Sequence, residues 1–83
     1  MPYGAVVMYT TTWCGYCTRL KRFFEREGIP YSEVNIEDDP AAADFVMNVN
    51  GGNRTVPIVT FPNGRAISNP SPAQVLLMLA EPA

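Results

Sequence analysis

Apolar residues run unbroken from Ala5 to Tyr9 and give way to Thr10, Thr11 and Thr12, the pattern of a short strand covered on both faces. From Cys17 to Glu27 the period changes. Apolar side chains fall at 17, 20, 23 and 24, charges fill 19, 21, 22, 25, 26 and 27, and Gly28 with Pro30 closes the amphipathic helix this predicts. Tyr31 to Ile36 alternates imperfectly, but its bounds and β-branched residues predict a second strand. Asp39-Pro40 reads as an N-cap followed by proline at the first helical position, opening a helix through Ala42, Phe45, Val46 and Val49 that stops at Gly51-Gly52. Val56–Phe61 and Arg65–Ser68 flank the turn Pro62-Asn63-Gly64 and predict a hairpin. Ser71-Pro72 opens a last helix with Val75, Leu76 and Leu79 as its buried stripe. The order β-α-β-α-β-β-α implies a right-handed crossover pairing the first two strands in parallel, an antiparallel hairpin beside them, and helices on both faces: a small mixed α/β sandwich.

With 83 residues there is room for a single domain, 1–83, and the mix of 47% hydrophobic and 17% charged residues fits a packed core rather than disorder. A net charge of −2 argues against nucleic acid as a partner, because phosphate binding needs clustered cations. One local exception is Arg19, Lys21, Arg22 and Arg26, which form either a positive patch or a solvated helix face. The N-terminal stretch has no basic segment and no apolar run of signal-peptide length, and no stretch approaches the roughly 20 apolar residues of a membrane span. A cytoplasmic location is the expectation.

The chemistry sits in Thr10-Thr11-Thr12-Trp13-Cys14-Gly15-Tyr16-Cys17, which holds both cysteines. A structural zinc site needs four Cys or His ligands, and the chain has two cysteines and no histidine, so no metal is expected. As a staple the pair closes one of the shortest possible loops, and disulfide stabilisation grows with loop length. Reducing conditions disfavour it further. Redox activity remains, and the position supports it. A buried strand hands over to a helix here, so Cys14 lies near the helix N-terminus, where unsatisfied N–H groups and the positive end of the dipole favour a thiolate. Cys17, one turn in, is expected to be buried and protonated. Cys14 then attacks a disulfide sulfur, and Cys17 can resolve the mixed disulfide.

Trp13-Cys14-Gly15-Tyr16-Cys17 after the first strand, Thr55-Val56-Pro57 before the hairpin, and the element order together resemble the thioredoxin superfamily and, within it, the glutaredoxins. The resemblance implies a thioredoxin-like α/β fold, a four-stranded mixed sheet flanked by three helices. It also implies a cis Val56-Pro57 bond facing the redox cysteine, with the Val56 backbone free to pair with a bound thiol. Asn50-Gly51-Gly52-Asn53-Arg54-Thr55-Val56-Pro57, Arg19-Leu20-Lys21 and Ser68-Asn69-Pro70-Ser71 are similar, as whole strings, to the mycoredoxins, the actinobacterial glutaredoxin-like enzymes that work with mycothiol. Carried over, the substrate groove comprises Trp13, Tyr16, Arg54, Thr55, Val56 and Pro57. Tyr16 is a shelf for the incoming thiol or an exposed loop aromatic. Trp13 reads first as a packing residue shielding the cysteine. Arg54 reaches the ligand or solvates its loop, and Tyr9, Phe23 and Phe24 belong to the core.

Two departures from ordinary glutaredoxins stand out. Gly15 replaces the usual proline, and no carboxylate occurs from Gly64 to Ala80, where glutathione's free amino group would find its counter-charge. Mycothiol, acetylated at its cysteine and carrying a sugar-inositol tail, has no such amine. The implied activity is therefore reduction of protein-mycothiol mixed disulfides by Cys14. Mycothiol is the co-substrate, no cofactor is bound, and NADPH acts through a separate reductase; the protein is expected to be a monomer. Two alternatives stay open. One is a dithiol redoxin reduced by thioredoxin reductase and serving ribonucleotide reductase. The other, kept alive by Gly15, is a [2Fe–2S] carrier.

Overall fold

The computed structural model describes residues 6–80, and within them the chain folds as β1(Val7–Thr10), α1(Gly15–Glu27), β2(Ser32–Asn35), α2(Pro40–Asn50), β3(Ile58–Thr60), β4(Ala66–Ser68) and α3(Pro72–Ala80). The expected order is observed. Its first strand was to start at Ala5, which lies outside the described residues. The sheet runs β2-β1-β3-β4, with β1 parallel to β2 and antiparallel to β3, and β3 antiparallel to β4.

Alternation along β1 sorts the core into two layers, since successive side chains of a strand face opposite sides. Val6 and Met8 join Val59 and Phe61 beneath α1 and α3, packing with Leu20, Phe23, Phe24 and Val75. On the other face Ile58 meets Ala42, Ala43 and Val46 of α2, and half-buried Tyr9 lies against Phe45 with ring centroids 4.9 Å apart. Both helix ends that glycine was expected to close do so in the left-handed conformation that lacks a Cβ penalty, Gly28 at φ 69° and Gly51 at φ 75°. Asp39 Oδ1 accepts the Ala42 N–H (3.2 Å), so the predicted N-cap of α2 is in place.

The structure shifts several boundaries for local reasons. α1 starts at Gly15, two residues earlier than the periodicity indicated, because Cys14 caps it. β3 begins at Ile58 rather than Val56, since Pro57 has no N–H to give to a ladder. β1 gains Thr10, whose carbonyl accepts the Ile36 N–H at 3.0 Å. The expected stripe of α3 needs one correction: Leu76 is 50% exposed. Residues 75, 78 and 79 share a face at helical spacing and pack on the core, whereas residue 76 is turned about 100° from 75.

Met8→Ala, which empties a fully buried site on the central strand, is expected to cost about 2–5 kcal/mol in urea unfolding. Leu76→Ala is expected to stay within about 0.5 kcal/mol of the parent. A large loss at Leu76 would contradict the assignment of the inward face of α3.

Candidate active site

A right-handed β-α-β unit brings the carboxyl ends of its two parallel strands side by side, and open α/β sheets hold their sites beyond such ends. The Thr11–Cys14 turn leaves the end of β1, and Asn35–Glu37 leaves the end of β2. Cys14 is the N-cap of α1, in extended conformation (φ −88°, ψ 110°), and its Sγ accepts the Cys17 N–H at 3.1 Å. Sulfur thus takes the place that Ser, Thr or Asp oxygen usually fills, satisfying one of the orphan donors of the first turn. The Cys14 thiol also lies 3.8 Å from the Val56 carbonyl, a weak S–H···O contact. It is half-buried, within reach of a partner from solution.

Cys17 is in a different environment. Only 1% exposed and packed with Leu20, Phe24 and Met8, it has its thiol pKa pushed up from 9.0 to about 12, by burial first and by the Cys14 hydrogen bond second. The Thr11 backbone N–H opposes the shift without cancelling it. At neutral pH Cys17 is therefore a protonated, enclosed thiol, and the two cysteines are chemically unequal.

The turn ahead of Cys14 is braced by residues the sequence reading passed over. Glu37 Oε1 accepts both the Thr12 N–H (2.9 Å) and the Thr12 hydroxyl (2.7 Å). Asn35 donates its amide to Thr12 Oγ1 (3.1 Å) and accepts the Glu37 N–H (2.9 Å). Hydrogen bonds from the Thr12 backbone, then its side chain, hold the Glu37 carboxyl below its ordinary pKa, and the Trp13 side chain contributes as well. The expectation that Trp13 packs over the cysteine is corrected here: its side chain is 79% exposed. The adjacency of two parallel strand ends is the signal that could have found Asn35 and Glu37.

Across the site, the segment from Asn50 to Pro57 is folded by its own asparagines. Asn50 Nδ2 donates to the Thr55 carbonyl (2.8 Å) and Asn53 Oδ1 accepts the Thr55 N–H (3.0 Å). The Val56-Pro57 bond is cis, in agreement with the resemblance. The Pro57 carbonyl accepts the Asn69 N–H (2.7 Å), which ties the β4–α3 turn to the same place. Among the described residues the Val56 N–H has no hydrogen-bond partner, and Arg54 and Thr55 are exposed beside it. Tyr16 is 59% exposed, with the Arg19 guanidinium 5.8 Å from its ring centroid. Ser71 is engaged in a reciprocal cap, its Oγ accepting the Gln74 N–H (3.1 Å) while Gln74 Oε1 accepts the Ser71 N–H (2.9 Å).

A capping cysteine at a strand-to-helix turn, a buried second cysteine and a cis proline beside them define a thioredoxin-like thiol-disulfide site. The glutaredoxin family model matches residues 6–67, and the chain belongs to the glutaredoxin family. It is 52% identical to a Mycobacterium tuberculosis protein that carries the glutaredoxin name, covering 94% of this chain and 93% of that one. It is 37% identical to Mycoredoxin 1 of Corynebacterium glutamicum, covering 86% and 87%. Among solved structures a glutaredoxin from Archaeoglobus fulgidus superposes with a TM-score of 0.77 at 20% identity (94% and 88% covered), which shows the shared thioredoxin-like fold. The NrdH-redoxin of Escherichia coli superposes with a TM-score of 0.74 at 26% identity (94% and 96% covered).

Iodoacetamide at neutral pH is expected to label Cys14 and spare Cys17, read by mass spectrometry of the digested protein, with Cys17 labelled only on unfolding or in strong alkali. Because folding raises the Cys17 pKa, its contribution to stability is whole below pH 9 and is lost as pH rises toward 12. Equal labelling of both cysteines in the folded protein would contradict the described burial.

Proposed function

We propose that this glutaredoxin reduces protein-mycothiol mixed disulfides by a monothiol route through Cys14. The carrying observation is the inequality of the two cysteines: Cys14 is half-buried with its Sγ accepting the Cys17 N–H at 3.1 Å, while Cys17 is enclosed and protonated. In the first step the Cys14 thiolate attacks the mycothiol sulfur. The substrate S–S bond breaks, the protein leaves as a thiolate that takes up a proton, and a Cys14-mycothiol disulfide remains. A second mycothiol thiolate attacks the mycothiol sulfur of that disulfide, releasing the Cys14 thiolate and mycothiol disulfide, which an NADPH-dependent reductase returns to the thiol form.

The N–H groups at the start of α1 stabilise Cys14 both as attacking and as leaving thiolate. The unpartnered Val56 N–H and its carbonyl supply one donor and one acceptor for the backbone of a bound thiol. Support for mycothiol comes from the likeness to Mycoredoxin 1 and from the absence of carboxylates between Gly64 and Ala80. With Ser71 committed to its cap, the start of α3 offers no carboxylate for an amine, which suits a neutral polyhydroxyl tail.

A dithiol reading has one observation in its favour, the superposition on NrdH-redoxin of Escherichia coli, a glutaredoxin-like protein with a thioredoxin-like activity profile. The two routes separate at Cys17. Cys14→Ser is expected to lower de-mycothiolation by more than about 10³-fold, and Cys17→Ser to stay within a few-fold of the parent, in a coupled assay of NADPH consumption. Equal inactivity of the two variants would overturn the monothiol route in favour of the dithiol one.

A further inference from the structure

The four cations of α1 do not form one patch. At about 100° per residue, positions 19, 22 and 26 share a helix face and position 21 points away from it. Lys21 is turned to β2 and pairs with Glu33 at 3.2 Å, while Glu33 also accepts the Thr10 hydroxyl at 2.8 Å. Arg19, Arg22 and Arg26 instead line a groove of about 490 Å³ between α1 and the turn into α3, whose opposite wall is Asn69, Pro70 and Ser71.

No carboxylate lines this groove, so it carries three guanidinium groups on a chain whose net charge is −2. Arg19 and Arg26 sit over the Tyr16 and Phe23 rings at 5.8 and 5.9 Å, contacts that hold a guanidinium in place without neutralising it. Arg22 makes no ion pair among the described residues, and the single pair of Arg26, with Glu27 at 3.9 Å, is solvent-exposed and weak. The positive end of the α3 dipole adds to the field. Tyr16 forms the end of the groove nearest Cys14.

We propose that this groove docks an acidic stretch of the client protein next to its disulfide cysteine, so that clients rich in Asp or Glu around that cysteine react preferentially. The inference rests on the redox reading above and names the client class for the same site. The mycothiol half of the mixed disulfide pairs with Val56 and directs its tail to the start of α3, and the protein half runs along the arginine wall of α1. From residue 19 to residue 26 the helix rises about 10 Å, and an extended chain presents same-side residues about 6.6–7 Å apart, so carboxylates on alternate residues fall within reach of the three arginines. Charge complementarity of this kind acts mainly on encounter and specificity, and it fades with salt.

The test titrates the labelled protein by NMR with a short peptide in which serine replaces the disulfide cysteine between glutamates, and with its glutamine twin. Amide shifts confined to residues 16–26, Asn69 and Ser71 are expected with the glutamate peptide alone, with the affinity weakening about tenfold in the exposed-site variant Arg22→Gln/Arg26→Gln and at high salt. Equal response to both peptides, no response to either, an unchanged affinity in the variant, or shifts induced by inorganic phosphate but not by the peptide would overturn the docking. A parallel arm gives the protein the same two peptides as cysteine-mycothiol disulfides. Reduction of both at equal rates counts against the docking. Reduction of neither, with the glutamate-specific shifts intact, leaves the docking standing and removes the redox reading instead.

Discussion

The hydrogen bond from the Cys17 N–H to Cys14 Sγ governs the rest of the molecule's chemistry. It makes a cysteine the N-cap of α1, and an N-cap must sit outside the helix yet touch its first turn. That requirement places one sulfur at the surface, at the positive end of a helix, and the next cysteine one turn inside, against the sheet. The same short segment therefore supplies a nucleophile and withdraws its neighbour from solvent. A thiolate at position 14 meets an orphan donor, whereas a thiolate at position 17 would have to form among Met8, Leu20 and Phe24.

The fold fixes this arrangement from three sides. β1, paired on both edges, aims the Thr11–Trp13 turn, and Glu37 holds that turn from the neighbouring strand end. Asn50, Asn53 and Asn69 hold the Val56-Pro57 segment opposite the sulfur. Charges divide with the helix faces: Lys21 joins α1 to the sheet through Glu33, and the arginines remain toward solvent. An exposed ion pair such as Lys21–Glu33 adds little stability, and the orientation of α1 is set by its buried Cys17, Leu20, Phe23 and Phe24.

The fold was legible because its punctuation is strong. Gly28, Gly51, Asp39-Pro40 and Ser71-Pro72 each end or begin a helix by a local mechanism that needs no tertiary context. The cysteine pair was legible for the same reason, since a strand-to-helix handover fixes which sulfur is the cap. What escaped was set by long-range packing. Leu76 and Val75 look alike to a hydrophobic count, and only the docking angle of α3 decides that Leu76 faces solvent. Trp13 lies outward on a turn that Glu37 fixes through Thr12, a placement made by the parallel register of β1 and β2. The strings from Asn50 to Pro57 and from Ser68 to Ser71, read first as marks of a ligand, prove to be in large part the means by which two loops hold their shape.

Whether the neutral start of α3 and the open Val56 backbone suit mycothiol is decided most directly by the reducing thiol itself. With a small disulfide substrate and the matching NADPH-dependent reductase in each case, mycothiol is expected to sustain turnover and glutathione to sustain little. Equal turnover with glutathione, or efficient reduction by thioredoxin reductase with no low-molecular-weight thiol present, would contradict the assignment.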